Sequence, residues 1–281
     1  MKSSPHSTDK IYVRAGYTVH YRNAHALEWL GEVSPAYIVL FLLKGKLPWN
    51  KGESAGELRS GEALLVNPGE SASVRGKQTT QMIVTLAPSF VFDCAVRARL
   101  TRTPARVSFR LPVIESDGRL RHLAHDLAGE LLEERMGQEL VVAALIEQML
   151  VYLLRRYANI RRSDEIELSR AGLVDRRIRR AVELMHAHLE RDLSLGEMAA
   201  AAHLSAFHFA RLFKKLTGAS PHAYLAALRI ARAQTLLAET DLSVTDISAQ
   251  VGYISPSHFA KVFRQATGLS PRAFRAALIG Q

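Results

Sequence analysis

Residues 205–228 read SAFHFARLFKKLTGASPHAYLAAL, and residues 255–278 read SPSHFAKVFRQATGLSPRAFRAAL. The two segments match at a constant offset of 50 residues, and more than half of their positions are identical, among them HFA, TG and SP. Self-similarity of this kind indicates a duplicated structural unit. A repeat therefore decides the fold of the C-terminal third of the chain.

Each copy follows a second matching segment, DLSLGEMA from residue 192 and DLSVTDIS from residue 241. The offset there is 49, so the second copy has one extra residue, which we expect around Gly252, in a turn. Serines that can cap helix starts and glycines that can end helices flank the segments: Ser194, Ser205, Gly218, Ser243, Ser255 and Gly268. Each copy is therefore predicted to be a helix–turn–helix unit.

A single long helix is predicted between the two units, because Pro221 to Ala238 has apolar residues at helical spacing. Eighteen residues rise roughly 27 Å at ~1.5 Å each. With helix thickness added, this approaches the ~34 Å between two major-groove entries on one face of DNA. A supporting helix is predicted over Asp175 to Leu189, so the C-terminal domain spans residues 171–281.

Positive charge favours a polyanionic partner. The chain has 281 residues and a formal net charge of +10, and neither predicted second helix contains an acidic residue. This charge distribution indicates DNA binding. A protein-binding helical domain and a nucleoid-type protein without sequence preference are the alternatives for this half.

Residues on the outward faces of the second helices are the candidate DNA contacts. Arg211 can pair with guanine, Phe207 and Ala210 can touch thymine methyl groups, and Lys214 and Lys215 suit phosphates. The full candidate set is Ala206, Phe207, Ala210, Arg211, Lys214, Lys215, Ser255, Pro256, Lys261 and Arg264. The inward faces are predicted to contain Phe209, Leu212, Phe213 and Leu216 in the first unit and Phe259, Val262, Phe263 and Ala266 in the second.

The N-terminal half has a different pattern. Its short apolar runs are separated by Gly, Pro, Asn and Ser: TVHY, AYIVLFLL, EALLVN, QMIVTLA and RVSF. This pattern predicts a small all-β sandwich or barrel over residues 1–118. Helical spacing then predicts two amphipathic helices over residues 119–158, separated at Gly137. Such a helix pair favours a dimer interface. The polar residues 159–170 are predicted to be a linker.

The C-terminal third resembles the DNA-binding domain of AraC/XylS-type bacterial transcription regulators. Three features carry the resemblance: the tandem motif, RIARAQTLL at 229–237, and DLSVTDISAQVGYISPSHFAKVFRQATGLSPRAFR at 241–275. Family members typically have Arg where this chain has Lys261, so a contact there is expected to go to phosphate more than to a base. The resemblance covers about 100 residues.

The resemblance implies an α+β fold: an N-terminal cupin-like β-barrel that binds a small effector, a helical dimerisation segment, and an all-α domain of two helix–turn–helix units joined by a long helix. It also implies promoter DNA and RNA polymerase as partners, a homodimer, and a role as an activator. The segment GELRSGEALLVNPGE at 56–70 is similar to the cupin turn of such barrels.

Four residues of the early strands are candidates for effector binding, although ordinary core packing is the simpler interpretation of each: Tyr17, His25, Tyr37 and Trp49. The N-terminal half could equally be a dimerisation or protein-interaction module without a ligand. No metal or other cofactor is expected, because the histidines of metal-binding cupins are missing around Pro68 and Gly69.

An enzyme is not expected either, since the chain has no nucleophile elbow, phosphate loop or H-E-x-x-H motif. Cys94 is the single cysteine, so no intramolecular disulfide can form. The N-terminus lacks the apolar core of a signal peptide and no stretch is apolar enough to span a membrane. A cytoplasmic protein without membrane association is therefore predicted.

Overall fold

A computed structural model describes residues 8–31, 36–101, 106–133, 135–161, 177–217 and 219–279. Its N-terminal part is a sheet covered on one face by three helices, and its C-terminal part is helical. The predicted α+β class is confirmed. Residues 162–176, which include most of the predicted linker, lie outside the described residues.

Ten strands are described. They are β1 Thr8–Arg14, β2 Tyr17–Gly31, β3 Tyr37–Lys44, β4 Lys46–Lys51, β5 Ser54–Arg59, β6 Ala63–Val66, β7 Ala72–Leu86, β8 Arg106–Phe109, β9 Val113–Ile114 and β10 Ala158–Arg161. The main sheet has the order β1-β2-β7-β3-β6-β9, and β4 pairs with both β5 and β7. All pairings between these strands are antiparallel.

The sheet curls because β3 and β4 lie one after the other along the long strand β7. Gly45, at φ +100°, turns the chain between them, and Gly76 lets the Leu47 side chain approach the β7 backbone. The inner face buries one cluster of apolar residues: Ile38, Leu40, Leu42, Leu47, Leu58, Leu64, Val66, Ala72 and Val74. Among the described strands β1 and β9 do not pair with each other, so the predicted cupin-like barrel is an open one.

The other face of the sheet packs against three helices: α1 Pro88–Arg97, α2 Gly118–Glu133 and α3 Gln138–Tyr157. Gly137, at φ +80°, precedes α3 and separates it from α2 as predicted. Asp117 joins these two helices, because its carboxylate accepts backbone N–H groups at the start of α2 and the hydroxyl groups of Tyr152 and Tyr157. The helix pair is thus part of the core of the N-terminal half.

The C-terminal domain contains seven helices within the described residues. They are α4 over residues 177–187, α5 Leu195–Ala201, α6 Ala206–Thr217, α7 Pro221–Glu239, α8 Val244–Gln250, α9 Pro256–Thr267 and α10 Pro271–Ala276. We call α5 and α6 the first unit and α8 and α9 the second unit. The long connecting helix is α7, close to the predicted bounds.

Three local features differ from the sequence-based expectations. Helix α1 lies inside the segment predicted to be all β, since Pro88 can start a helix at its first position. Residues 158–161 form β10, which pairs with β8, so the predicted linker begins inside a strand. The extra residue of the second unit is Ile254, because the turn hydrogen bonds of Leu204 and Tyr253 still match at an offset of 49.

Candidate nucleic-acid interface

Helix α6 has one buried and one open face. Phe209 and Phe213 are fully buried in the core of the first unit, whereas Phe207 is 80% exposed. The other outward candidates are also accessible: Ala206, Arg211, Lys214 and Lys215 are exposed, and Ala210 is half-buried. The side chain of Leu216 lies outside the described residues.

Helix α9 repeats this arrangement. Phe259 and Phe263 are fully buried, and the candidates Ser255, Pro256, Lys261 and Arg264 are all exposed. Ala266, which we predicted to be buried, is exposed. Its position lies near the end of the helix, beyond the aromatic core, so its small side chain has no layer to pack into.

Both helices begin and end with the same hydrogen bonds. The hydroxyl of Ser205 accepts the N–H of His208, and that of Ser255 accepts the N–H of His258, each at 3.4 Å. The hydroxyls of Thr217 and Thr267 donate to the carbonyls of Phe213 and Phe263, both at 2.8 Å. The repeat thus presents two equivalent helices in equivalent local frames.

Five cations lie on the open faces of α6 and α9: Arg211, Lys214, Lys215, Lys261 and Arg264. In the part of the chain that the structure describes, none of them forms an ion pair with a carboxylate. Unpaired cations on exposed helix faces can neutralise phosphates without first breaking an internal contact.

The second unit is joined directly to the sheet domain. Ile11 of β1 donates its N–H to the carbonyl of Ala277 at 2.8 Å and accepts the N–H of Ile279 at 3.0 Å. Its side chain is fully buried in the core of the second unit, with residues of α7, α8, α9 and α10. The residues after α10 therefore cover the outer edge of β1, and β1 completes a core of the C-terminal domain.

A polar cluster lies beside this contact. Nε2 of His20 is 2.7 Å from Oδ1 of Asp9, and Nη1 of Arg22 donates to the carbonyl of Gly268, at the end of α9, over 3.4 Å. Burial lowers the pKa of His20, although the Asp9 carboxylate acts in the opposite direction. The imidazole is therefore neutral near pH 7, and its contact with Asp9 is a hydrogen bond. Sequence reasoning missed this cluster because its strands meet α9 only in the folded chain.

The three candidate effector residues whose side chains are described do not come together. Tyr17 and Tyr37 are buried on the face covered by α1–α3, and the hydroxyl of Tyr37 donates to the carbonyl of Val107. Trp49 packs on the opposite, inner face. The side chain of His25 lies outside the described residues. The two tyrosines are thus core residues of one layer, separated from Trp49 by the sheet.

The described residues contain neither a candidate metal cluster nor a membrane-spanning helix. No group of three or more His, Cys, Asp or Glu side chains there could hold a metal ion. No helix in the same residues is long and apolar enough to cross a membrane.

The structure joins tandem helices that have open cationic faces to a cupin-like sheet. This combination defines the class of the protein: a DNA-binding transcription regulator with an N-terminal cupin-like domain. Family models agree: a helix-turn-helix domain matches residues 198–277 and a cupin matches residues 12–159. The chain belongs to the AraC/XylS family of transcription regulators, and its N-terminal half is a cupin domain.

Curated relatives are similar mainly in the C-terminal domain. The transcriptional regulator GbdR of Pseudomonas aeruginosa is 32% identical over 130 residues, which are 46% of this chain and 34% of GbdR. MtrA of Neisseria gonorrhoeae is 33% identical over 119 residues, 42% of this chain and 39% of MtrA. This chain thus spans little more than a third of the length of these relatives. The probable regulator LumQ of Photobacterium leiognathi matches further, at 25% identity over 76% of this chain and 79% of LumQ.

Solved structures resemble the whole chain. ToxT from Vibrio cholerae O395 has a TM-score of 0.62 and 12% identity, covering 95% of this chain and 100% of that chain. The unsaturated fatty acid bound ToxT from V. cholerae strain SCE256 has a TM-score of 0.60 and 12% identity, covering 95% and 97%. At this identity the likeness shows the fold alone.

Proposed function

We propose that the protein is a sequence-specific regulator of transcription, and an activator, whose two units enter adjacent major grooves on one face of promoter DNA. The observation that supports this most directly is the pair of equivalent, acid-free helices α6 and α9, each with its cations outward. The 19 residues of α7 separate them by roughly 29 Å at ~1.5 Å per residue, a distance compatible with adjacent grooves.

The two units have different roles in this proposal. The first unit offers Phe207, Arg211 and two lysines, and we assign most of the base reading to it. The second offers Ser255, Pro256, Lys261 and Arg264, and we assign it mainly to the phosphate backbone, because the position equivalent to Arg211 is Lys261, a point charge without the planar fork of paired donors that arginine has.

Arg211→Ala should weaken binding to the preferred DNA by about 1–3 kcal/mol and relax the preference at one base pair. Lys215→Ala should weaken binding to all sequences alike and reduce the slope of log K against log salt by about one. Binding titrations at several salt concentrations, on preferred and scrambled duplexes, measure both effects. Equal salt slopes and equal losses of sequence preference in the two variants would contradict the assignment.

We further propose that the cupin domain binds a small molecule and signals through β1 to the second unit. Support comes from the direct insertion of Ile11 into that unit and from the contact between Arg22 and the end of α9. A ligand that moves β1 relative to the rest of the sheet changes the position of α9 in the same step.

A thermal-shift screen of metabolites tests for the effector. The screen includes unsaturated fatty acids, because a ToxT structure contains one. A ligand that binds only the folded state raises the melting temperature. The screen needs the full chain, since Ile279 packs into the core of the sheet domain. If no compound shifts the melting temperature, the alternative gains support: the N-terminal half is a dimerisation or protein-interaction module without a ligand.

The proposed regulator is a homodimer that acts in the cytoplasm, contacts RNA polymerase and catalyses no reaction. These partners rest on the family, whose relatives are named as transcription regulators. For the dimer, we infer a surface at the turn between α2 and α3. Met136 in this turn is fully exposed, Leu140 in the first turn of α3 is largely exposed, and Leu132 at the end of α2 and Val141 in α3 are partly exposed. Large exposed apolar patches mark interaction surfaces.

Leu140→Glu should convert the dimer to a monomer, because a carboxylate at an apolar interface loses its water without gaining a partner. Light scattering measures the mass of the variant. Leu111→Glu is the control, since Leu111 is also an exposed leucine but lies beside Arg156 and Tyr157, at the opposite end of α3. An unchanged mass for Leu140→Glu, or a monomer for Leu111→Glu, would place the interface elsewhere.

A further inference from the structure

Arg229, in the middle of α7, holds the main chain that precedes the first unit. Its Nε donates to the carbonyl of Leu189 at 3.0 Å, and its Nη2 donates to the carbonyl of Arg191 at 2.9 Å. Both carbonyls belong to the segment between α4 and α5. Two donors of one planar group fix the orientation of this segment against α7.

The same guanidinium contacts the second unit. It lies over the ring of Tyr253, 5.6 Å from the ring centroid, and Tyr253 is buried in the core of that unit. The aromatic face attracts a cation at this distance. One side chain therefore connects the second unit with the segment that packs against the core of the first unit, although the two buried cores share no residue.

Gly252 shows that the two units approach closely at this point. A β-carbon on Gly252 would overlap the carbonyl oxygen of Leu189 and lie 2.8 Å from Nη2 of Arg229. The equivalent turn residue of the first unit is His203, which also has a positive φ but carries a side chain. The turn conformation alone thus tolerates a side chain, whereas the contact between the units at Gly252 leaves no room for one.

We propose that Arg229 is a positioning residue that fixes the angle between the two units and thereby selects the spacing of the two half-sites on DNA. This inference rests on the proposed function for its DNA consequence. Helix α7 sets the distance between the two units. The rotation of one unit relative to the other about the axis of α7 depends on the packing of the cores at the two ends of this helix. The hydrogen bonds and ring contact of Arg229 add a direct connection between those cores.

The first test measures the angle without DNA, so that its outcome is independent of the proposed function. Spin labels at Lys215→Cys and Gln265→Cys, equivalent exposed positions of α6 and α9, report the distance between the helices; Cys94 is buried and does not compete. Arg229→Ala should broaden the distance distribution, whereas Arg232→Ala, an exposed arginine on the same helix, should not. An unchanged distribution in Arg229→Ala overturns the proposal.

The second test uses duplexes with two half-sites that are first obtained by selection with the unaltered protein. The spacing between the two half-sites is then varied by single base pairs. Arg229→Ala should lose about tenfold affinity at the preferred spacing and little at other spacings or on a single half-site. Arg229→Lys should behave like Arg229→Ala, because lysine keeps the charge but cannot reproduce the two fixed hydrogen bonds. Full rescue by lysine, or an equal loss on the single half-site, would indicate a phosphate contact instead and overturn the proposal.

Discussion

Replacing Ile11 with alanine will destabilise the second unit more than the sheet domain to which residue 11 belongs. The side chain is fully buried among residues of α7–α10, and its truncation leaves a cavity there. Isoleucine-to-alanine changes in cores cost about 2–5 kcal/mol. The main-chain hydrogen bonds of Ile11 remain, so the loss comes from packing.

Hydrogen exchange of the amides in α8, α9 and α10 measures this effect locally. Ile114→Ala is the control: Ile114 is equally buried in the sheet domain but packs under α2 and α3, so its loss should leave α8–α10 protected. If Ile11→Ala leaves exchange in α8–α10 unchanged, the sheet domain is not part of the second unit's core and the proposed route of the signal is wrong.

The alanine variants Phe213→Ala and Phe263→Ala will each unfold their own unit and abolish its DNA contacts. The two rings occupy equivalent places: Phe213 packs edge-on against Tyr224 at 5.3 Å, and Phe263 against Phe274 at 5.2 Å. Phenylalanine-to-alanine changes in cores cost about 3–5 kcal/mol, which is comparable with the whole stability of a small helical unit.

Because the two cores share no buried residue, the damage should remain local. Hydrogen exchange should rise in α5 and α6 for Phe213→Ala and in α8 and α9 for Phe263→Ala. Phe207→Ala, in the same helix as Phe213 but exposed, should change stability by less than about 0.5 kcal/mol while weakening DNA binding. Loss of protection in all four helices for either variant would show that the units unfold as one.

The C-terminal domain could be predicted closely because its signals are local and occur twice. Serine caps lie within three residues of the groups they bond, and the buried faces of α6 and α9 follow from helical periodicity. The long helix α7 follows in the same way. Among the described side chains of α6 and α9, the exposed Ala266 near the end of α9 differed from this pattern.

The N-terminal half could be predicted only in outline. Alternation along a strand separates its two faces but does not tell which face meets helices and which lies inside the curl, so Tyr17 and Trp49 could not be assigned to opposite layers. The contacts of Ile11, Arg22 and Arg229 were beyond prediction for a related reason. Each joins segments that are distant along the chain, and no short motif marks such a contact.

Sequence-specific reading of DNA by two units is the central claim, and selection from a random duplex library at physiological salt tests it most directly. We expect enrichment of a motif with two half-sites about 10–10.5 base pairs apart, bound at least ~10³-fold more tightly than scrambled duplexes. Equal binding of selected and scrambled DNA would contradict the claim.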